Sequence, residues 1–192
     1  MTTHRLSLGA HTPETAPAGA RPILDETKAK LGFIPNMYTR MANLPALLGT
    51  YVHGYDLFRA QSGFTPAEQE VVLLVISRQN GCEYCVAAHS MIAANVSKVP
   101  ADALESIRTG RPIADARLSA LALFTQAMVD KRGNPTPEDA SAFLRAGFTE
   151  QHILAVVLAI SVKIISNYTN HLFHTPVDAP FASFAWSAPK VA

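Results

Sequence analysis

The chain has 192 residues, with 16 basic against 15 acidic side chains and a formal charge of +1. That length suits one domain with a substantial core, and a near balance of charge without any Lys/Arg cluster excludes nucleic acid and an anionic membrane as expected partners. Two cysteines cannot build a disulfide framework. The opening "MTTHRLSLGAHTPETAPAGARP" holds no apolar run able to form a signal-peptide core, so residues 1–21 are read as an irregular N-terminal arm and the protein as cytoplasmic.

No stretch alternates β-branched residues and no Asn-Gly or Asp-Gly turn separates two such runs, so an all-α fold is expected. Pro22 starts a short helix that Gly32 stops, and in "GFIPN" Pro35 forces Ile34 into an extended turn. Asn43 is the expected cap of an amphipathic helix with Leu47, Leu48, Tyr51, Tyr55 and Phe58 on one face, ending near Gly63. Thr65, Pro66 and Glu68 form a capping box for a helix that runs to Gly81 and whose centre is apolar all round, hence buried. A helix from about Cys82 to Lys98 follows, so that residues 63–98 make a helical hairpin. Further helices are expected at Ala101–Arg108, Asp115–Arg132 and Pro137–Gly147, and Thr149 caps the last long one. Its apolar run from Ile153 to Ile165, interrupted by Lys163, is shorter than the roughly 20 residues of a membrane helix and is read as a buried helix.

The chain also aligns on itself. "GFTPAEQEVVLLVISRQNGCEYC" from Gly63 matches "GFTEQHILAVVLAISVKIISNYT" from Gly147 without gaps and with roughly a third of the pairs identical, which suggests a duplicated helical unit. In that register Cys82 and Cys85 meet Ser166 and Thr169, so the second copy, residues 147–175, has no thiols and chemistry belongs to the first.

Cys82, Cys85 and His89 are spaced i, i+3 and i+7, one stripe of a helix. A cysteine four residues from a histidine has its β-carbon about 5–6 Å away, near enough for the imidazole to take the thiol proton. The helix dipole favours ionising Cys82, whereas His89 favours Cys85. Glu70, on the preceding antiparallel helix and among apolar neighbours, is expected to carry a raised pKa and to exchange protons with His89. Glu68 is assigned to the cap, with an exchange of roles between the two glutamates left open.

Glu70, eleven residues, Cys82, two residues, Cys85, three residues and His89 resemble the active-site signature of the AhpD-like alkylhydroperoxidases in the carboxymuconolactone decarboxylase family. The resemblance runs from about Leu31 to Val177, and "LGFIPNMYTRMANLP" and "SNYTNHLFHTPVD" are similar to its peroxidase-related branch. It implies an AhpD-like multihelical domain assembled as a homo-oligomer, trimer or hexamer. It further implies reduction of organic or hydrogen peroxides at the expense of an external thiol reductant, with no metal or organic cofactor. Carried over by position, Cys85 resembles the peroxidatic cysteine and Cys82 the resolving one, with Glu70 and His89 as proton relay. Tyr84 departs from the family's pattern, which has histidine before the second cysteine; Tyr168 at the matching place of the second copy suggests that Tyr84 packs.

Three readings compete for the same residues. Zinc would use Cys82, Cys85 and His89 with His171 or His174 as fourth ligand, although a second cysteine knuckle is missing. The decarboxylase branch of the family typically lacks the paired cysteines. A non-catalytic oligomeric module would bury both thiols as core. His53 is read as a packing residue on its helix, within reach of the site. The apolar fraction of 48% suggests more buried surface than a monomer needs, and so again an oligomer, around which the N-terminal arm wraps.

Overall fold

The computed structural model describes residues 3–189. Among them nine α-helices and one 3-10 helix account for all regular structure: α1 Arg21–Leu31, α2 Asn36–Met41, α3 Pro45–Gln61, α4 Pro66–Gln79, α5 Glu83–Asn95, α6 Ala101–Thr109, α7 Ala116–Asp130, α8 Pro137–Arg145, α9 Glu150–Phe173 and the 3-10 turn Ala179–Phe184. The all-α class holds. At the centre stands α4, buried at every residue from Glu68 to Ser77, because its apolar sequence has no polar face to offer water. Around it α5, α6, α7 and α9 pack in two clusters. One gathers Phe58, Phe64, Val72, Leu74, Leu121, Phe124 and Phe143, and the other gathers Leu24, Met37, Met41, Leu48, Tyr51, Cys82, Cys85 and Val162.

Helix starts follow their caps. Thr65 and Glu68 close the capping box of α4, and Thr136 and Asp139 that of α8; Asp115 accepts the Leu118 N–H at 2.8 Å. At α9 the return bond comes from a histidine, His152 Nδ1 accepting the Thr149 N–H at 3.0 Å. The two aligned segments therefore begin alike, each after a left-handed glycine (Gly63, Gly147), with the rings of Phe64 and Phe148 edge to face at 5.9 Å. They part at Gly81. Its φ of +66° lets the Cys82 N–H reach back to the Ser77 carbonyl at 2.9 Å, ending α4 and reversing the chain. The matching residue in α9 is Ile165, which has no such freedom, and that helix runs on for 24 residues.

Several boundaries differ from the sequence reading. Asn43 does not cap α3; Leu44 stands there, and the Asn43 amide instead donates to the carbonyls of Gly9 and Arg40. Pro35 ends the expected extended turn by starting the short helix α2, whose first N–H (Asn36) is taken by the Asp178 carboxylate from 142 residues away. The arm is irregular but packs on its own chain, through Leu6 N–H to Leu172 O at 2.9 Å and His11 N–H to Thr39 O at 3.0 Å. His53 is exposed. Helix α9 is by length and composition able to cross a membrane, yet it is a core helix here, with α2, α3, α4 and α7 packed on it. Its contact with α3 is close: a β-carbon on Gly54 would meet Val162 Cγ2 at 2.9 Å.

Replacing Gly81 by alanine forces an L-residue into the left-handed region at a cost of about 1–2 kcal/mol. Chemical denaturation is expected to show that loss, and Gly49→Ala, inside α3, is expected to show none.

Candidate functional site

Four helices bring the site together. Cys82 is the N-cap of α5, with extended backbone (φ −85°, ψ 94°), and is not part of the helical stripe; Cys85 and His89 stand one and two turns into the helix. Both thiols are free and buried, as is His89. Glu70 from α4 is wholly buried, and its Oε2 lies 2.9 Å from His89 Nδ1. Its other oxygen accepts from the Arg59 guanidinium of α3. Glu68 points elsewhere, to the Thr65 cap and to Arg117 Nε at 2.7 Å, so the two glutamates do not exchange roles.

The charge states follow from this packing. Burial pushes the Glu70 carboxyl up, but its contacts with His89 and with the Arg59 guanidinium outweigh it and hold it below the ordinary carboxylate range. The expected upward shift is thus overturned by His89 together with a guanidinium that apolar sequence neighbours do not reveal. An ionised carboxylate cannot donate, so Nδ1–H of His89 is the donor and Nε2 carries the lone pair. Burial, together with the charge of Lys163, holds His89 below its usual range and therefore neutral near pH 7, despite the pull of Glu70. The two cysteines diverge. The Cys82 thiol is raised, first because it hydrogen-bonds to Cys85 and then by burial. Burial also raises Cys85, but that hydrogen bond and the Lys163 charge outweigh it and hold Cys85 well below the ordinary thiol range. The amide nitrogen of Asn170 lies 3.3 Å from Cys85 Sγ, 3.8 Å from Cys82 Sγ and 3.2 Å from Met37 Sδ.

The thiols open on different spaces. Cys85 and His89 line an inner cavity of about 290 Å³ walled by Tyr38, Tyr51, Tyr55, Met37 and Phe181. Cys82 lines a cleft of about 620 Å³ on the other side, between Thr3, His4, Glu83, His171 and His174. Those two histidines thus sit on the Cys82 side, away from His89, and among the described residues no group of three or more His, Cys, Asp or Glu side chains gathers in a way that could hold a metal. Tyr84 borders both spaces, but its hydroxyl is already engaged. Its hydroxyl donates to Asp178 and accepts from the Met37 N–H at 3.5 Å, and burial raises it further. Its counterpart Tyr168 is half exposed, so the two tyrosines do not share a packing role.

Residues 45–127 match the model of the carboxymuconolactone decarboxylase family. A peroxidase-related protein of Ralstonia eutropha JMP134 with an alkylhydroperoxidase AhpD core superposes with a TM-score of 0.80 at 22% identity, over 91% of this chain and 93% of that one. The chain has the AhpD-like fold. A peroxidase-related protein of Silicibacter sp. TM1040 shares it (TM-score 0.76, 21% identity, 94% of this chain and 97% of that one). So does the debrominase Bmp8, in a cysteine-to-alanine variant bound to 2,3,4-tribromopyrrole (TM-score 0.74, 17% identity, 94% and 96%). No curated protein matches the sequence. With 94% of the chain covered, the AhpD-like likeness reaches well into the first thirty residues, which the sequence reading had left outside it.

Sequence reasoning named Glu70, Cys82, Cys85 and His89, and the fold brings these four together. It missed Arg59, Asn170 and Lys163. Lys163 had a visible signal, a lone charge inside the most apolar run of the chain.

Of the depressed groups, His89 and Glu70 set how stability changes with pH on the acid side. Between its folded and unfolded values each group binds more protons unfolded, so stability rises with pH there. Stability is expected to fall below about pH 6.5, the ordinary value of His89, and again below about 4.5, that of Glu70. Thermal melts from pH 8 to 3.5 check this; a melting temperature that stays flat down to pH 4 contradicts it.

Proposed function

We propose that the chain is a thiol-dependent peroxidase that reduces organic or hydrogen peroxides, with Cys85 as peroxidatic and Cys82 as resolving cysteine and His89 and Glu70 as proton relay. The observation that carries this reading is geometric: Cys85 and His89 face one cavity, the Glu70 carboxylate lies 2.9 Å from His89 Nδ1, and the Asn170 amide nitrogen reaches both sulfurs, 3.3 Å from Cys85 Sγ and 3.8 Å from Cys82 Sγ. The Cys85 thiolate attacks one peroxide oxygen, the O–O bond breaks, and the departing alkoxide takes a proton to leave as alcohol or water, while Cys85 becomes a sulfenic acid. The Cys82 thiol then attacks that sulfur, water leaves, and the pair is a disulfide. Neutral His89, with Nε2 as its basic nitrogen, takes up the peroxide proton and passes it to the leaving oxygen, and Glu70 fixes the tautomer that does so. An external dithiol restores both thiols by exchange at Cys82, the sulfur that borders the outer cleft.

Family and fold are compatible with peroxidase-related or decarboxylase-like chemistry; the paired thiols favour the former. The aromatic walls of the cavity support a second thiol reaction, attack of the Cys85 thiolate on the halogen of a halogenated ring. The ring anion would be protonated, and Cys82 would displace halide to form the same disulfide. Assembly into a trimer or hexamer belongs to this proposal. Leu154, Val157, Tyr168 and Leu172 form an exposed apolar stripe along α9 that a second copy would cover.

The deciding experiment is peroxide consumption with dithiothreitol by wild type, Cys85→Ser and Cys82→Ser, with bromide release from a brominated pyrrole run alongside. Turnover is expected to fall on the order of 100-fold or more in Cys85→Ser, and Cys82→Ser is expected to accumulate a trappable sulfenic acid. Unchanged peroxide turnover in Cys85→Ser removes the assignment, and bromide release without peroxide turnover replaces it with the second reading.

A further inference from the structure

Lys163 is wholly buried, and its Nζ has no hydrogen-bond partner among the described residues. It stands seven residues from both Val156 and Asn170, hence on the face of α9 that points into the protein. It lines the inner cavity together with Cys85 and His89. An ammonium carries three donors, and burying it without an acceptor or a countercharge is expensive. Something in that cavity has to answer its charge.

The acidic groups facing the cavity can be taken helix by helix. From α4, Glu70 has one oxygen on Arg59 and the other on His89. Asp178, behind Tyr84, is held by the Tyr84 hydroxyl and the Asn36 N–H. Glu26 of α1 and Asp56 of α3 are exposed at the rim, and Glu26 pairs with Lys30. From α2 and α3, Tyr38 and Tyr51 are pushed up by burial and Tyr55 is pushed up to about 12, so the phenols stay neutral. From α5, Tyr84 is committed to Asp178, and His89 supplies no negative charge. What remains in the cavity is the Cys85 thiol.

We propose that Lys163 is a positioning residue whose fixed positive charge at the floor of the cavity holds Cys85 as its thiolate and His89 as neutral imidazole. Both effects follow from one charge. A cation favours an anion beside it and disfavours a second cation, and the charge of Lys163 lowers both Cys85 and His89. Activation of the thiol therefore does not consume the imidazole, which stays free to carry a proton to and from the reacting oxygen. This departs from the usual pairing of a cysteine thiolate with an imidazolium.

The inference deepens the proposed thiol chemistry and rests on Cys85 as its nucleophile, but thiolate formation is measured without substrate, so the two fail separately. The thiolate absorbance near 240 nm is titrated in a Cys82→Ser background, where Cys85 is the single thiol, with Lys163, Lys163→Met, Lys163→Arg and Lys163→Gln. The midpoint is expected to rise by about 1–3 pH units in the methionine and glutamine variants and to stay near the parent value in the arginine variant. The His89 midpoint, read by nuclear magnetic resonance, is expected to rise as well. Glutamine can hydrogen-bond in the cavity without charge and gives the same reading should the methionine variant not fold. A Cys85 midpoint unchanged on loss of the charge overturns the proposal, and so does an arginine variant that shifts as far as glutamine. A normal shift with no peroxide turnover would retire the peroxide reading and leave Lys163 in this role.

Discussion

The site depends on one buried carboxylate. Glu70 lies wholly buried in the second turn of α4, the helix on which the rest of the core packs, where an ionised group is tolerated only if it is fully paired. Arg59 from α3 and His89 from α5 do that pairing, so three helices are locked in register by two charge-assisted contacts. Tyr55 adds its hydroxyl to the guanidinium and stacks its ring beneath it, 4.8 Å from the charge, and the Gln69 amide bonds both the head group and the backbone of Arg59. The chemistry inherits this arrangement. Because Glu70 is ionised and fixed, the tautomer of His89 is fixed with it, and the nitrogen left basic is set by the fold before any substrate arrives.

Around this chain of contacts the thiols are differentiated by position as much as by charge. Gly81 turns the chain so that Cys82 becomes the cap and Cys85 enters the first turn, which puts one sulfur toward the outer cleft and the other toward the tyrosine-walled cavity. Asn170 reaches both from α9. On the proposed thiol chemistry, this arrangement would give the oxidising molecule and the reducing thiol separate approaches, one to Cys85 and the other to Cys82.

Much of the fold was legible because helix starts are written locally. Thr65 with Glu68, Thr136 with Asp139 and the left-handed glycines each act over three or four residues, and the starts of α4, α8 and α9 fall where those residues say. What escaped was written across the chain. Asn43 looks like a cap, but the Gly9 carbonyl captures its amide. The short helix α2 has its first N–H satisfied by Asp178 near the other end of the protein. The 3-10 turn Ala179–Phe184 is held by Phe181 against Phe33 and Tyr84. The site follows the same rule. The spacing of Cys82, Cys85 and His89 is local and could be read. The ionisation of Glu70 could not, because it depends on contacts with His89 and with Arg59, on two other helices. Lys163 lies between the two cases: a charge in an apolar run is visible in the sequence, but which cavity it enters is not.

The account stands most directly on the proton of one imidazole. Nitrogen-15 resonance of His89 at pH 7 is predicted to show the neutral ring with hydrogen on Nδ1 and a bare Nε2, a pattern that Glu70→Gln should disturb. A ring protonated on Nε2 alone, or an imidazolium at that pH, would contradict it.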